Sequence, residues 1–350
     1  MRNFIFFLII LALSFFIYVY PINLLGYLLF DSKIIEPLSF IPTVIIASAA
    51  FLYFRTHSTS RLLRGFIYYG MGLGFIGFCL FNIGLIASMI APKFTLEIGL
   101  GCLILFVFTC FKSILNGRKI HLKHIHFSSP KIKNPHNIIF ISDIHLGSNP
   151  KSHLEGICEK INGLTYDYLL IGGDLFDSST FEAEDLEPLK TIQKPILFVT
   201  GNHEYYVKNH LDKIAKLIDY NIKCLDNQGI IIDELNIVGI SDNQSRKIQS
   251  EMAESLVKEN KFNVVMVHQP SIWNSAPEGA DLILSGHTHN GQIFPFNFLV
   301  RLQFSTVYGI YRRLNSNLYV SSGSGTWGPR MRLGTQNEIV QISLSPEKIN

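Results

Sequence analysis

The chain has 350 residues, a formal net charge of +3 and a hydrophobic fraction of 48%. The length suggests about two domains, and the first 111 residues contain only six basic and three acidic residues. The remainder holds 24 of each sign, so its charge gives no support to a nucleic-acid partner. The five scattered cysteines indicate neither a disulfide framework nor a cysteine-based zinc site.

Four apolar runs occupy the first third of the chain, at residues 4–30, 40–54, 66–91 and 94–111. Runs of this length with almost no charge are typical of membrane-spanning helices, although the second is short for a span. The first run is too long for a signal-peptide core and has no small-residue cleavage site. Residues 1–111 are therefore predicted to form a transmembrane block of about four helices. A buried helical domain in water is the weaker alternative.

Basic residues indicate how these helices are oriented. They cluster at Arg2, between Arg55 and Arg64, and from Lys112 onward. With four spans these clusters lie on one side, and positive charge stays in the cytoplasm. We therefore predict a multi-pass protein of the cell (inner) membrane, in contact with membrane lipids, whose C-terminal part is cytoplasmic. Residues 112–135 are interpreted as a basic juxtamembrane linker, either along an anionic lipid surface or simply solvated.

From residue 136 onward, short apolar runs end in polar residues, as in NIIFISDIH, YDYLLIGGD and PILFVTGNH. Such runs predict buried strands of an α/β fold, and open α/β sheets bind ligands at the carboxyl ends of their strands. The polar residues delivered there are Asp143, His145, Asp174, Asn202, His203, His268, His287 and His289.

These side chains offer imidazole nitrogen together with carboxylate and amide oxygen. This donor set suits Mn, Fe or Zn. Side chains alternate along a strand, so Asp143 and His145 are expected on one strand face, as are His287 and His289. Each pair could therefore reach one metal ion.

The motifs DIHLG, GGDLFD, GNHE, VHQP and GHTHNGQ, in that order, resemble those of the calcineurin-like metallophosphoesterase superfamily. The resemblance covers about residues 137–343. The late segment GSGTWGPRMRLGTQNEI resembles bacterial membrane-associated predicted phosphohydrolases. GNHE departs from the commoner GNHD, and Glu204 is a conservative change. The resemblance implies a four-layer αββα sandwich at residues 136–345 with a site for two divalent metal ions.

The resemblance also implies a role for each site residue. Asp174 would bridge the two ions, and His203 would be a catalytic residue at the phosphate or its leaving group rather than a ligand. Metal-activated hydroxide would be the nucleophile. The first ion would be held by Asp143, His145 and His289, and the second by Asn202, His268 and His287.

The function expected from this resemblance is hydrolysis of a phosphate mono- or diester at a membrane. The apolar block favours a lipid-linked substrate, and a soluble nucleotide or a cell-wall phosphate stays open. The alternatives are a non-catalytic scaffold and a sensor or transporter, although the spans contain almost no ionisable residue of the kind that lines transport pathways. No nucleic-acid or protein partner is predicted.

Several other residues are candidates for substrate contact, loop support or membrane contact. Arg330 and Arg332 are predicted to contact an anionic substrate, with solvated loop charges as the alternative. Asp177 is predicted to orient its loop rather than bind metal. The histidines His121, His124 and His126 are interpreted as a surface run. Two tryptophans, Trp273 and Trp327, are equally compatible with bilayer anchors and with core residues.

Overall fold

A computed structural model describes residues 2–56, 60–178, 180–313 and 315–347 of the chain. It divides into two compact units, Met1–Asn116 and Gly117–Asn350.

The first unit is helical. Its helices are α1 (Arg2–Ser14), α2 (Tyr20–Phe30), α3 (Phe40–Thr56), α4 (Arg61–Ile90) and α5 (Thr95–Asn116), with a π-helical segment Phe15–Val19 between α1 and α2. Four helical segments are long and apolar enough to cross a membrane, namely Phe4–Phe30, Pro37–Arg55, Arg61–Ile90 and Pro92–Asn116. The predicted number of long apolar helices is confirmed. The second gains length because a 3₁₀ turn from Pro37 leads directly into α3.

The surface of this unit is largely apolar. Large side chains such as those of Phe30, Ile90 and Ile104 are well exposed, an arrangement that is unfavourable in water and favourable among lipid tails. The helices approach closely where the sequence supplies glycine. A Cβ on Gly99 of α5 would lie 2.8 Å from the Leu28 carbonyl oxygen of α2. Small residues permit this contact between helix backbones, as in membrane helix bundles.

The second unit contains two six-stranded sheets in its described part. One has the strand order β1-β12-β2-β3-β4-β5 and the other the order β10-β11-β9-β8-β7-β6. The strands are β1 (Ile120–Ser129), β2 (His136–Ile141), β3 (Tyr168–Gly172), β4 (Ile196–Val199), β5 (Ile222–Cys224), β6 (Gln228–Ile232), β7 (Leu235–Ile240), β8 (Phe262–Val267), β9 (Leu282–Ser285), β10 (Gly309–Arg313), β11 (Ser316–Val320) and β12 (Asn337–Pro346). The helices are α6 (Lys151–Asn162), α7 (His210–Ala215), α8 (Arg246–Leu256) and α9 (Phe296–Gln303).

Three hydrophobic cores separate four layers. The central core joins the inner faces of both sheets, for example Phe140 with Val264. The outer face of the first sheet packs against α6 through Leu154, and that of the second packs against α8 through Ala253. The expected αββα sandwich is confirmed, because each sheet buries one face on the other sheet and the opposite face under helices.

The basic segment 112–135 differs from the expected linker. Helix α5 continues to Asn116, and β1 pairs in parallel with β12 from Ile120 opposite Asn337 to Ser129 opposite Pro346. Ile125 and Phe127 of β1 are buried in the central core. This alternation of apolar and polar residues specifies a strand despite the basic charge. His121, His124 and His126 are exposed, as expected for a surface run.

Candidate metal centre

The predicted site residues lie immediately after five strands. Strands β2, β3 and β4 are parallel neighbours in one sheet, and β8 and β9 are parallel neighbours in the other. Their carboxyl ends therefore meet at one edge of the sandwich. Asp143 and His145 follow β2, Asp174 follows β3, Asn202 and His203 follow β4, His268 follows β8, and His287 and His289 follow β9.

The side chains at this edge converge. The Nε2 atoms of His145 and His289 are 3.1 Å apart, and His268 Nε2 is 3.2 Å from His287 Nδ1. Asp174 lies between these pairs, since its Oδ2 is 3.1 Å from His268 Nε2 and 3.7 Å from His145 Nε2. Asp143, His145 and His289 form one group that could hold a metal ion, and Asp174, His268 and His287 form another. A third such group, His145, Asp174 and His203, overlaps the first two. The division of the ligands between two ions therefore stays a prediction.

The residues fit divalent cations. Asn202 Oδ1 is buried and has no hydrogen-bond partner among the described residues. A buried amide oxygen is costly to leave unpaired, and Asn202 directly precedes His203 in the loop after β4. Imidazole, carboxylate and amide oxygen are borderline and hard donors, which suit first-row divalent ions.

The backbone reaches this arrangement in an unexpected way. Strand β2 ends at Ile141, so Asp143 and His145 lie in a loop, and the expectation that strand alternation pairs them is wrong. Left-handed φ angles, between 48° and 72°, occur at five of the site residues, namely Asp143, His145, Asp174, His287 and His289. Such conformations cost about 1–3 kcal/mol each and persist where surrounding contacts hold them. Two of those contacts join the first two loops, from Asp143 N to Gly173 O and from His145 N to Asp174 O, each 3.0 Å long.

Glu204 supports the turn that carries Asn202. Its carboxylate is fully buried and accepts hydrogen bonds from the backbone N–H groups of Gly201 at 2.7 Å and of Asp174 and Phe176 at 3.1 Å. Burial and the nearby Asp174 raise the pKa of Glu204 to about 8, against the effect of these donors. The acid that follows GNH therefore ties the loop after β4 to the loop after β3, a role that sequence reasoning did not assign.

Asp177 contacts both His145 and the loop after β2. Its Oδ2 lies 3.2 Å from His145 Nδ1, on the side of the ring away from His289. Ser148 fixes the carboxylate by donating from its N at 3.0 Å and its Oγ at 2.6 Å. Burial lowers the pKa of His145, but Asp177, Asp174 and Asp143 together outweigh that effect and the pKa is raised. Carboxylates behind ligating imidazoles commonly fix ring orientation in metal sites.

The pKa shifts differ among the site residues: those of Asp174, His287 and His289 favour the protonation state that binds cations, whereas Asp174 raises the pKa of His268 well above its usual value against the effect of burial. Burial would raise the pKa of Asp174, but His268 and His203 hold it well below its ordinary value. Burial and the neighbouring His268 lower the pKa of His287 to about 3, and burial with His145 lowers the pKa of His289 well below its usual range. At neutral pH the carboxylate is therefore charged and these two imidazoles keep their lone pairs.

His203 lies inside the cluster, next to His145 and Asp174. Its ring centroid is 4.8 Å from that of His145, and its Nε2 is 4.0 Å from Asp174 Oδ2. Burial lowers its pKa. Trp327 stands on its other side, with ring centroids 5.8 Å apart, and is 41% exposed. Trp273 is instead a core residue, covered by Arg313.

The buried position of Arg332 speaks against its predicted contact with substrate. It is fully buried and donates to the carbonyl oxygens of His289, Ser322 and Gly325 at 2.6–2.7 Å. Burial lowers its pKa to about 10, so it keeps its charge at neutral pH. Arg332 thus holds the backbone of a site residue. Arg330 is half-buried, and its contact with substrate stays a prediction.

Comparisons with known proteins agree with this site. The family model for calcineurin-like phosphoesterases matches residues 136–291. A Helicobacter pylori protein described as an uncharacterized metallophosphoesterase is 31% identical over 326 residues, covering 86% of this chain and 87% of that protein. A Bos taurus transmembrane protein with a metallophosphoesterase domain is 31% identical over 240 residues, covering 61% of this chain and 54% of that protein. Among solved structures, TT1561 of Thermus thermophilus is similar with a TM-score of 0.37 and 10% identity, covering 55% of this chain and 90% of that chain. The family match and the nearly full-length similarity to the Helicobacter protein together show that this chain belongs to the calcineurin-like phosphoesterases.

Proposed function

We propose that this protein hydrolyses phosphate mono- or diesters at a centre that holds two divalent cations. The observation that carries the proposal is the convergence of carboxylate and imidazole donors from both sheets. The buried, unpartnered amide oxygen of Asn202, on the loop after β4, adds support. One ion would be held by Asp143, His145 and His289, and the other by Asn202, His268 and His287, with Asp174 shared. Mn, Fe and Zn all suit these donors.

Divalent cations at such sites supply Lewis-acid chemistry and activate water near neutral pH. The residues of the chain would position and assist that chemistry. Asp177 holds the His145 ring through its contact with Nδ1. Arg332 holds the backbone of His289 by donating to its carbonyl oxygen. His203 is next to Asp174 and partly exposed, so a ring N–H at Nε2 would be placed to donate a hydrogen bond to the leaving oxygen. Trp327 beside it would contact the group attached to the phosphate.

The four long apolar helices support a place in a membrane. We propose that all four span the cell membrane and that the basic clusters at Arg2, Arg55 to Arg64 and Lys112 onward stay inside. The catalytic unit would then be cytoplasmic, and its substrate a phosphate ester linked to lipid.

Metal content and hydrolysis, measured together, test the catalytic proposal. The purified full chain is expected to contain about two divalent ions per molecule and to hydrolyse generic aryl phosphate mono- or diesters. Asp174→Ala should abolish hydrolysis and lower the metal content, because one carboxylate serves both groups. Ile248→Ala, at an exposed position on α8, is the matched control. Undiminished hydrolysis with full metal content in Asp174→Ala would refute the assignment.

A further inference from the structure

The segment after GHTHNG carries an exposed apolar surface on the catalytic unit. Phe294 precedes α9, and Phe296, Phe298, Leu299 and Leu302 lie on it, each between 45% and 85% exposed. Large apolar side chains have about 200 Å² of surface each, so this surface exposes on the order of 500 Å². Helix α9 has no buried residue. Apolar patches of this size on soluble domains mark interaction sites.

This surface is joined directly to the metal centre. Gly291 is two residues beyond His289, and a Cβ there would lie 2.3 Å from Asn297 Cα of α9. At the other end of the helix, the ring of Phe304 stacks edge-on against His287, with centroids 5.4 Å apart. Both ends of α9 are therefore packed on the turn that contains His287 and His289.

The stretch of sequence that contains α9 carries charge of one sign. Between residues 282 and 337 the chain contains five arginines and no lysine, aspartate or glutamate. Arg301 projects from α9 itself and is exposed. A helix with large apolar side chains and cationic charge matches the lipid–water interface of an anionic membrane.

The segment that connects α5 to β1 is short. Only residues 117–119 separate the end of α5 from the start of β1. A connection of this length spans at most about 14 Å when fully extended. If α5 crosses a membrane, the catalytic unit is confined to the lipid surface.

We infer that α9 and Phe294 form a membrane-docking element that inserts into the lipid–water interface beside the metal centre. The phosphate ester would then be taken from the bilayer surface, with its polar head at the site and its apolar part still in lipid. This inference rests on the proposed phosphoesterase function for its substrate, but the docking itself does not depend on activity.

Docking is measured on the full chain in vesicles of phosphatidylcholine and phosphatidylglycerol. The Phe298→Cys variant is labelled with an environment-sensitive fluorophore, and the Ile231→Cys variant, labelled in the same way, is the control. The signal of labelled wild-type protein is subtracted from both, because the chain has native cysteines. Ile231 is 54% exposed, as Phe298 is 55% exposed, but it lies on β6, at the sheet edge opposite β10. Brominated lipids should quench the fluorescence of the label at position 298. Iodide in the aqueous phase should quench the fluorescence of the label at position 231. Equal iodide quenching at both positions would overturn the inference. Shielding of position 298 from both quenchers would also overturn it, in favour of contact between two copies of the chain.

The consequence for substrate is tested with Phe298→Asp and Leu302→Asp, and Ile231→Asp as the control. Hydrolysis of a phosphate ester embedded in vesicles should fall by about tenfold or more in the first two variants, since a charge opposes insertion. Hydrolysis of a soluble aryl phosphate should stay unchanged in all three. Equal loss on both substrates would show that α9 acts on the fold of the site and would overturn docking. If wild type hydrolyses neither substrate, the proposed function fails, while quenching still decides whether α9 docks.

Discussion

Replacing Arg332 with methionine removes the buried cation that binds the turn at His289. The substitution removes the guanidinium donor of the Ser322 and Gly325 carbonyl oxygens and of Asn337 Oδ1 in a fully buried environment. The His289 carbonyl oxygen loses one of two donors and keeps the hydrogen bond from Gln292 N. Each unsatisfied group costs about 1–3 kcal/mol, and relief from burying a guanidinium offsets part of the sum. We expect the free energy of unfolding to fall by about 3–5 kcal/mol. At about 2–4 °C per kcal/mol for a unit of this size, Tm should fall by about 10 °C.

The assay combines thermal unfolding with metal content on the full chain in detergent. The Arg332→Met variant should unfold earlier and should also lose metal, because the carbonyl that Arg332 holds belongs to His289. Arg332→Lys should be intermediate, since an ammonium keeps the charge but lacks the planar fork that reaches several carbonyls.

A substrate clamp would behave differently. It would raise KM while Tm and metal content stayed at wild-type values, and that result would refute the structural role of Arg332. Arg330→Met is the informative comparison. Arg330 is half-buried, and its predicted contact is with substrate, so its loss should raise KM and change Tm little.

Three further predictions concern catalysis, orientation and pH. His203→Ala should lower kcat by about 10²- to 10⁴-fold with unchanged metal content; loss of an ion would show that His203 is a ligand. A fluorescent protein fused after Asn350 should fluoresce and an alkaline phosphatase there should be silent; the reverse would place the catalytic unit outside the cytoplasm. Burial lowers the pKa of His153 in the folded protein to about 4. Between about pH 6.5 and pH 4, His153 is therefore protonated in the unfolded chain but not in the folded protein. Stability should therefore fall by up to about 3 kcal/mol as pH drops through that range, and His153→Gln should remove this part of the pH dependence in chemical denaturation.

Much of the site was predictable because its residues are tied to strand ends. An apolar strand followed by Asp, Asn or His is a local pattern, and parallel strands necessarily bring their carboxyl ends to one edge. The apolar helices were predictable for a similar reason, since length and charge within one segment decide them. Four such segments and the αββα layers are present in the structure.

Contacts between distant segments were not predictable from local pattern. Strand β1 was interpreted as a basic linker because its partner β12 lies more than two hundred residues away. The apolar pattern in α9 was likewise overlooked, although FNFLVRLQF has visible helical spacing of apolar residues.

The sequence by itself determined which side chains could serve as ligands and which segments could enter a membrane. The tertiary structure decided what each polar residue faces. Two arginines separated by one methionine look equivalent in sequence, yet Arg332 is buried against His289 while Arg330 is half-buried. The left-handed turns at Asp143 and His145 likewise depend on the loop after β3, whose backbone accepts their N–H groups. Burial and hydrogen-bond partners are properties of the packed fold, because elements far apart in the chain supply them, and no local pattern of residues encodes them.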